Sequence, residues 1–397
     1  MQALEGIRVL DLTHYVAGPY CTKIFAGLGA EVLKIERPGS GDGARIIGPF
    51  LKDEPNQETS ALFLYLNTGK KSITLDLKTE TGVQIVKTLI KDTDIVVENF
   101  RPGVMARLGL DYEVLRKINP GLLMTSISNF GQTGPYRDFK ANELVEYAFT
   151  GLMYTTGDPD REPLKTAGKV TLYHAGTHAF IGTLVALLYK EAAGEGQYVD
   201  VSIHQCVTCP MGNIIVPYLS QGILVKRDGN YGYSRAAWGP YQCRDGYVGV
   251  LAGPDHRWPM LAKLVGRPEL ADAKYATRAA RVTYRDEIDA IISPWLMEHD
   301  KRDIYHAAQA LGMTFSYVAT MQDLRESNQL KARGFFVDIE HPQAGKLTYP
   351  GAPFKMSETP WQASRAPLLG ENNGEIYRQR LGLSKEELVR LRQAKVI

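Results

Sequence analysis

The stretch over residues 163–201, PLKTAGKVTLYHAGTHAFIGTLVALLYKEAAGEGQYVDV, constrains this chain more than any other part of it. It reads as a loop, a long helix and a strand. Over residues 173–190 the apolar Ala179, Leu184, Leu187 and Leu188 recur at helical spacing, and Gly176 and Gly182 leave room for another backbone to approach. Gly194 and Gly196 then break the chain ahead of a Tyr-Val-Asp-Val-Ser strand.

The first 130 residues alternate in the same way. Residues 7–12 (IRVLDL) form a short apolar strand, and Pro19 suits the first turn of a helix running to Leu28. Residues 31–36 (EVLKIE) give a second strand, and the connection is long enough for a crossover helix, which favours a parallel sheet. Residues 72–77, 94–98 and 122–127 read as further strands, with a helix over 81–91. This alternation predicts a Rossmann-like sheet, whose ligands bind beyond the carboxyl ends of strands. His14, Arg37 and Asn99 all follow strand ends and form one group of site candidates. The glycine-rich loop RPGSGDGAR after the second strand has neither the order of a dinucleotide fingerprint nor a GK[ST]. Arg37 and Arg45 there suit either phosphate contacts or a solvated surface loop.

The texture changes from Tyr241 onward, where a strand over 246–252 and charged helical segments mark a smaller α/β domain. The expected organisation is a large domain over residues 1–229, a small domain over 230–330, and a return segment over 331–397. Residues 226–233 read as a polar turn, residues 335–339 and 347–349 as an antiparallel pair, and Ser384 with Glu387 as a capping box opening a last helix.

Composition narrows the function. With 397 residues and a formal net charge of +2, the chain can bury substantial cores, and no field draws it to nucleic acid or an anionic membrane. No basic segment leads into an apolar run at the start, and no run of about 18 apolar residues stands out. Four cysteines do not make a disulfide framework, so a reducing cytoplasm is expected. Cys206 and Cys209 read as two small residues on a buried helix. His174 and His178 have the spacing of a metal pair but lack a third ligand in sequence reach, so they read as packing or hydrogen-bonding residues, with no metal site expected.

Six segments in order, LDLTHYVAGPYCT, GAEVLKIERPGSGD, NTGKKSITLDL, VVENFRPGVMARLGL, GTLVALLYKEAAGEGQYVDVS and LGENNGEIYRQRLGLSKEELVRL, resemble family III CoA-transferases of the formyl-CoA and carnitine CoA-transferase type. The resemblance implies an α/β fold with a large Rossmann-like and a small α/β domain, in an interlocked dimer. It implies coenzyme A or an acyl-CoA as substrate, with no permanently bound cofactor, and a small carboxylic acid as the other reactant. The family's CoA-contacting positions fall on His14, Tyr15, Val16, Ala17, Arg37, Lys70, Asn99, Phe100, Arg107 and Lys140. Val16 departs from the formyl-CoA type, which has glutamine near the thioester. Glu143 matches a glutamate beside the active site.

In that family an aspartate, four residues ahead of the glycine matching Gly176, attacks the thioester and forms a mixed anhydride; thiolate return then gives an enzyme-bound thioester. Here that position is Leu172, which is no nucleophile. Related racemases also need the aspartate. The resemblance therefore implies a subunit that pairs with an aspartate-bearing paralogue, with succinyl-CoA and benzylsuccinate as examples of donor and acceptor in anaerobic degradation. Two alternatives are a non-catalytic acyl-CoA-binding homodimer and an autonomous enzyme using Glu143.

Overall fold

The computed structural model describes residues 1–230, 235–252 and 254–397. The chain divides into two compact units: Met1–Leu152, Lys165–Val216 and Ala332–Ile397 in the first, Met153–Leu164 and Pro217–Lys331 in the second. The first junction thus lies ahead of the expected 229–230, and the segment 153–164 leaves the large unit. Its partners explain this: Gly229 N–H donates to Gly157 O and Arg227 Nη1 to Tyr154 O, pairings that no local pattern announces.

Six parallel strands build the first unit: β1 (Arg8–Asp11), β2 (Glu31–Glu36), β3 (Lys71–Thr74), β4 (Ile95–Glu98), β5 (Leu123–Ser128) and β6 (Tyr198–Ser202). Their order is β3-β2-β1-β4-β5-β6, so the direction of winding reverses between β1 and β4. Successive side chains leave opposite faces. Val9, Val32, Ile95, Val97 and Leu123 enter one core, while Leu10, Leu33, Val96 and Met124 enter the other. Every residue of β4 and β5 is buried, as central strands covered on both faces require.

The organising helix spans Val170–Ala193 and packs with the Ala17–Gly27 helix over the first of those cores. Gly176 sets their approach: a Cβ there would stand 2.5 Å from Ala17 O, closer than atoms can come. Gly182 faces the Val199 side chain at 3.4 Å instead of a backbone, so only the first of the two glycines marks a close crossing. The helix is long and apolar enough to cross a bilayer by length and composition, although the sequence pattern suggested no such run. Its Ala175, Ala179 and Leu187 are buried in the core, whereas Ile181, Val185 and Leu188 are exposed.

The second unit carries an antiparallel sheet of β7 (Trp238–Cys243), β8 (Gly246–Leu251) and β9 (Ser316–Tyr317). Val248 and Val250 pack there with Ile288, Ile292 and Ile304 of the helices Arg285–Glu298 and Lys301–Ala310. The return segment forms the expected hairpin of β10 (Phe336–His341) and β11 (Gly345–Pro350), and the last helix, Lys385–Gln393, opens on the expected capping box. Of the turn expected over 226–233, residues 231–233 lie outside the described residues.

Candidate functional site

The reversal between β1 and β4 places two loops side by side, and one side chain joins them. His14 N–H donates to Asn99 Oδ1 at 2.8 Å, and Asn99 Nδ2 donates back to His14 O at 2.8 Å. Two of the three residues grouped from strand ends are thus brought together. Tyr15, next in the chain, is held at φ 66°, a left-handed conformation costly for a residue with a Cβ. Its N–H donates to Asp42 Oδ1 at 2.9 Å, which offsets that strain.

A buried charge network supports these loops from below. Asp11, at the end of β1, lies 3.0 Å from Lys70 Nζ, and Lys34 Nζ lies 2.8 Å from Asp42 Oδ2; all four side chains have zero exposure. Burial alone would raise the Asp11 carboxyl, but Lys34, Lys70 and the Thr13 and Thr22 hydroxyls outweigh it and hold it below the usual carboxylate range. Burial lowers the Lys70 ammonium to about 8 against the attraction of Asp11.

This corrects two expectations. Lys70 spends its donors on Asp11, Pro19 O and Asn67 Oδ1, leaving none directed to a ligand. Arg45 is fully buried, paired with Glu36 at 2.7 Å and Glu58 at 2.8 Å, so it belongs to the scaffold and is not held out to a phosphate. Arg37 is exposed but lies outside the cavity described next, as does His14, whose ring sits beside Phe100 and Asp42.

Above the reversal point opens a cavity of about 790 Å³. Tyr15, Val16, Ala17, Asn99, Phe100, Arg107 and Lys140, all expected from the resemblance, line it together with Glu143 and Leu172. Burial pushes the Glu98 carboxyl up to about 7, and that carboxyl accepts Phe100 N–H at 2.7 Å, which fixes the turn carrying Phe100 into the cavity.

The lining mixes charged and aliphatic residues. It includes the cations Arg101, Arg107, Arg137, Lys140 and Lys169 and the carboxylates of Asp138 and Glu143. Among the described residues Arg101, Arg107, Lys140 and Lys169 form no ion pair, so four cations face a cavity without a matched anion. That arrangement suits a polyanionic ligand. Glu143, in the first turn of the Glu143–Phe149 helix, pairs with Lys165 at 2.8 Å, and its Oε1 is buried without a hydrogen bond among the described residues. Aliphatic residues complete the lining. Leu172, in the first turn of the organising helix, stands there with Val16, Ala17, Ile127 and Ile203.

Arg101, Arg137 and Lys169 escaped the sequence reading. Arg101 stands two residues after Asn99, so its place by a strand end could have flagged it; Arg137 and Lys169 sit in loops whose approach to the sheet only folding reveals. His174 and His178 lie outside the cavity with their Nε2 atoms 3.1 Å apart, one ring donating to the other. Burial, with the neighbouring imidazole second, lowers His174. Cys206 is buried as expected, but Cys209, just past the helix end at Thr208, is exposed.

The model of CoA-transferase family III matches residues 4–373. Formyl-CoA:oxalate CoA-transferase of Streptomyces avermitilis is 38% identical over 415 residues, covering 100% of both chains. The succinyl-CoA–L-malate CoA-transferase alpha subunit of Chloroflexus aurantiacus is 34% identical over 398 residues, covering 99% of this chain and 92% of the relative. Among solved structures, a CAIB/BAIF family protein from Brucella suis superposes with a TM-score of 0.87 at 32% identity, over 95% of this chain and 99% of the other.

Proposed function

Because this chain belongs to CoA-transferase family III, an enzyme family that moves CoA between acyl-CoA thioesters and carboxylic acids, we propose that it is the aspartate-lacking subunit of a hetero-oligomeric member. The observation that carries this reading is Leu172. It lines the cavity in the first turn of the organising helix, packed against the aliphatic core, where the family's resemblance calls for the nucleophilic carboxylate. A leucine side chain has no lone pair to attack a thioester and no acyl acceptor.

The cavity's cations remain, so the capacity to hold the phosphates of CoA survives the loss of the nucleophile. Arg107 and Lys140 bind phosphate oxygens, Asn99 and His14 hold the two loops in register, and Phe100 and Val16 pack on the pantetheine. The paralogous partner supplies the aspartate: its carboxylate displaces CoA thiolate from the donor, and the thiolate attacks the resulting anhydride at the aspartyl carbonyl to release the donor acid. The acceptor carboxylate attacks the aspartyl thioester left on the enzyme, forming a second anhydride and releasing CoA thiolate, which then attacks the acceptor's carbonyl carbon to give the new acyl-CoA and free the aspartate. The exposed Ile181, Val185 and Leu188 on the organising helix support a partner chain interlocked in the cytoplasmic enzyme. Succinyl-CoA is our donor, in keeping with a relative named for it, and benzylsuccinate our example of an acceptor in anaerobic degradation.

Native mass spectrometry of the gently purified protein tests this directly. A complex with a second chain of similar size bearing Asp at the Leu172 position is expected, with exchange only on mixing and none after Asp→Asn in that partner. Exchange that persists in that variant overturns the reading. One feature favours a second reading: Glu143 places a carboxylate in the cavity with one oxygen unpartnered. An autonomous enzyme built on it would turn over alone and lose that turnover in Glu143→Gln. A homodimer that binds CoA without exchange would be a holding protein.

A further inference from the structure

Across β4, β5 and β6, Glu98 pairs with Ser126 and Met124 with Tyr198. Met124 enters the second core, so alternation turns all four side chains to the sheet face away from the organising helix. They line a second cavity there, of about 380 Å³. Its carboxylates are already engaged. Glu98 accepts Phe100 N–H at 2.7 Å and is raised to about 7 chiefly by burial, Asp111 caps the helix Tyr112–Leu115 by accepting Val114 N–H at 3.2 Å, and Glu113 pairs with Arg116 at 3.1 Å. Its donors are not. Gln132 Nε2 and Arg137 Nε are buried with no hydrogen-bond partner among the described residues, and Arg137 Nε stands 3.9 Å from Asp138 Oδ1, beyond hydrogen-bond reach. The loop carrying Gln132 is pinned, since its N–H donates to Asp200 Oδ2 at 2.9 Å. Buried donors left unpaired are costly, and two in one cavity call for an acceptor from outside the chain.

We infer that this second cavity binds a small organic monocarboxylate, and that its occupancy weakens CoA in the larger cavity, because Arg101 and Arg137 line both. A carboxylate accepts from a guanidinium and a carboxamide, the two kinds of donor left over here. A phosphate dianion would meet stronger repulsion from Asp111 and Glu113, which a single charge halves. Tyr112 and Tyr198, with ring centroids 5.7 Å apart, and Met105 offer carbon surface to the rest of the molecule. A guanidinium turned to an anion in one cavity has fewer donors for the other, so the coupling is negative and acts equally in both directions. The site stands independently of the CoA reading, and only the coupling rests on it.

Calorimetric titration of the purified full chain with benzoate, its neutral analogue benzamide, and CoA tests this. Benzoate is expected to bind about tenfold more tightly than benzamide, the worth of charge-assisted bonds. Gln132→Leu, at a residue outside the larger cavity, is expected to weaken benzoate about tenfold while CoA affinity stays within about twofold. If that variant fails to fold, Gln132→Glu, which sets a like charge against the carboxylate, is expected to do the same. With benzoate saturating, CoA is expected to bind about threefold more weakly, and the apparent benzoate Kd is expected to rise and then level off as CoA is added. A rise without limit would make the second cavity part of the CoA site and overturn the inference. Benzamide binding as well as benzoate, or benzoate affinity unchanged by substitution of Gln132, overturns it too, and CoA affinity indifferent to benzoate overturns the coupling. If CoA does not bind at all, the CoA reading falls, while the response of benzoate to Gln132→Leu still decides the site.

Discussion

Two loops of the first unit look alike in sequence and end in opposite roles. The loop after β2, RPGSGDGAR, and the turn after β4, NFRPGVMAR, both follow a strand end and both carry two arginines with glycine. In the first, Arg45 meets Glu36 and Glu58 with no exposure, and Asp42 meets Lys34. In the second, Arg101 and Arg107 form no ion pair among the described residues and face the cavity. A buried cation needs its own carboxylate, because the cost of removing it from water is offset only by a close partner. Cations left without one and facing the cavity remain available to a ligand. Counting the acids that can fold onto a basic loop therefore separates scaffold from site better than counting its glycines does.

The largest effect expected from this contrast is in the scaffold. Asp11→Ala leaves Lys70 and Lys34 buried with too few anions and is expected to cost roughly 3–5 kcal/mol, read from the denaturant midpoint at an unchanged slope. An unchanged midpoint would dissolve the distinction between the two loops.

Next comes Glu98, whose folded carboxyl is raised to about 7 chiefly by burial. The unfolded chain releases that proton at lower pH than the folded one, so the unfolded state binds fewer protons between about 4.5 and 7. Its contribution makes stability fall as pH rises through that window, by up to roughly 3 kcal/mol, and level off above it. Glu98→Gln is expected to flatten that part of the curve relative to the parent chain. Glu146, fully buried with neither carboxylate oxygen hydrogen-bonded among the described residues, is likewise raised to about 7 by burial, so the double variant Glu98→Gln/Glu146→Gln should flatten it further.

On the ligand side, Arg107→Ala is expected to weaken CoA by about tenfold, the worth of one charge-assisted bond, while stability moves by less than about 0.5 kcal/mol. A stability loss as large as that of Asp11→Ala would mean Arg107 belongs to the scaffold. The smallest effect is expected for Arg37→Ala: exposed and outside the cavity, it should change CoA affinity by less than about twofold.

Much of the fold was legible in advance because its signals are local. Six strands, the organising helix, the Gly176 crossing and the Ser384 capping box each depend on residues within a few positions of one another, and periodicity carries them. The site was legible in part. Asn99 was flagged by its strand end, but its two bonds to His14 span 85 positions, and no local pattern encodes them. Lys70 shows the limit most clearly: its place in a matched motif suggested a ligand contact, and only the fold brings Asp11, 59 positions away, to within 3.0 Å.

By itself, the sequence determined the order of strands and helices, the family resemblance and the absence of a carboxylate at Leu172, since these follow from residue identity and short-range spacing. The tertiary structure alone decided which cations are spent on buried partners and which face the cavity, where the chain parts at Val216, and that Leu172 packs against the core cluster holding Ile127 and Ile203. The reason is physical. Burial and pairing depend on distances between segments far apart in the chain, and those distances are fixed only when the sheet closes its two cores.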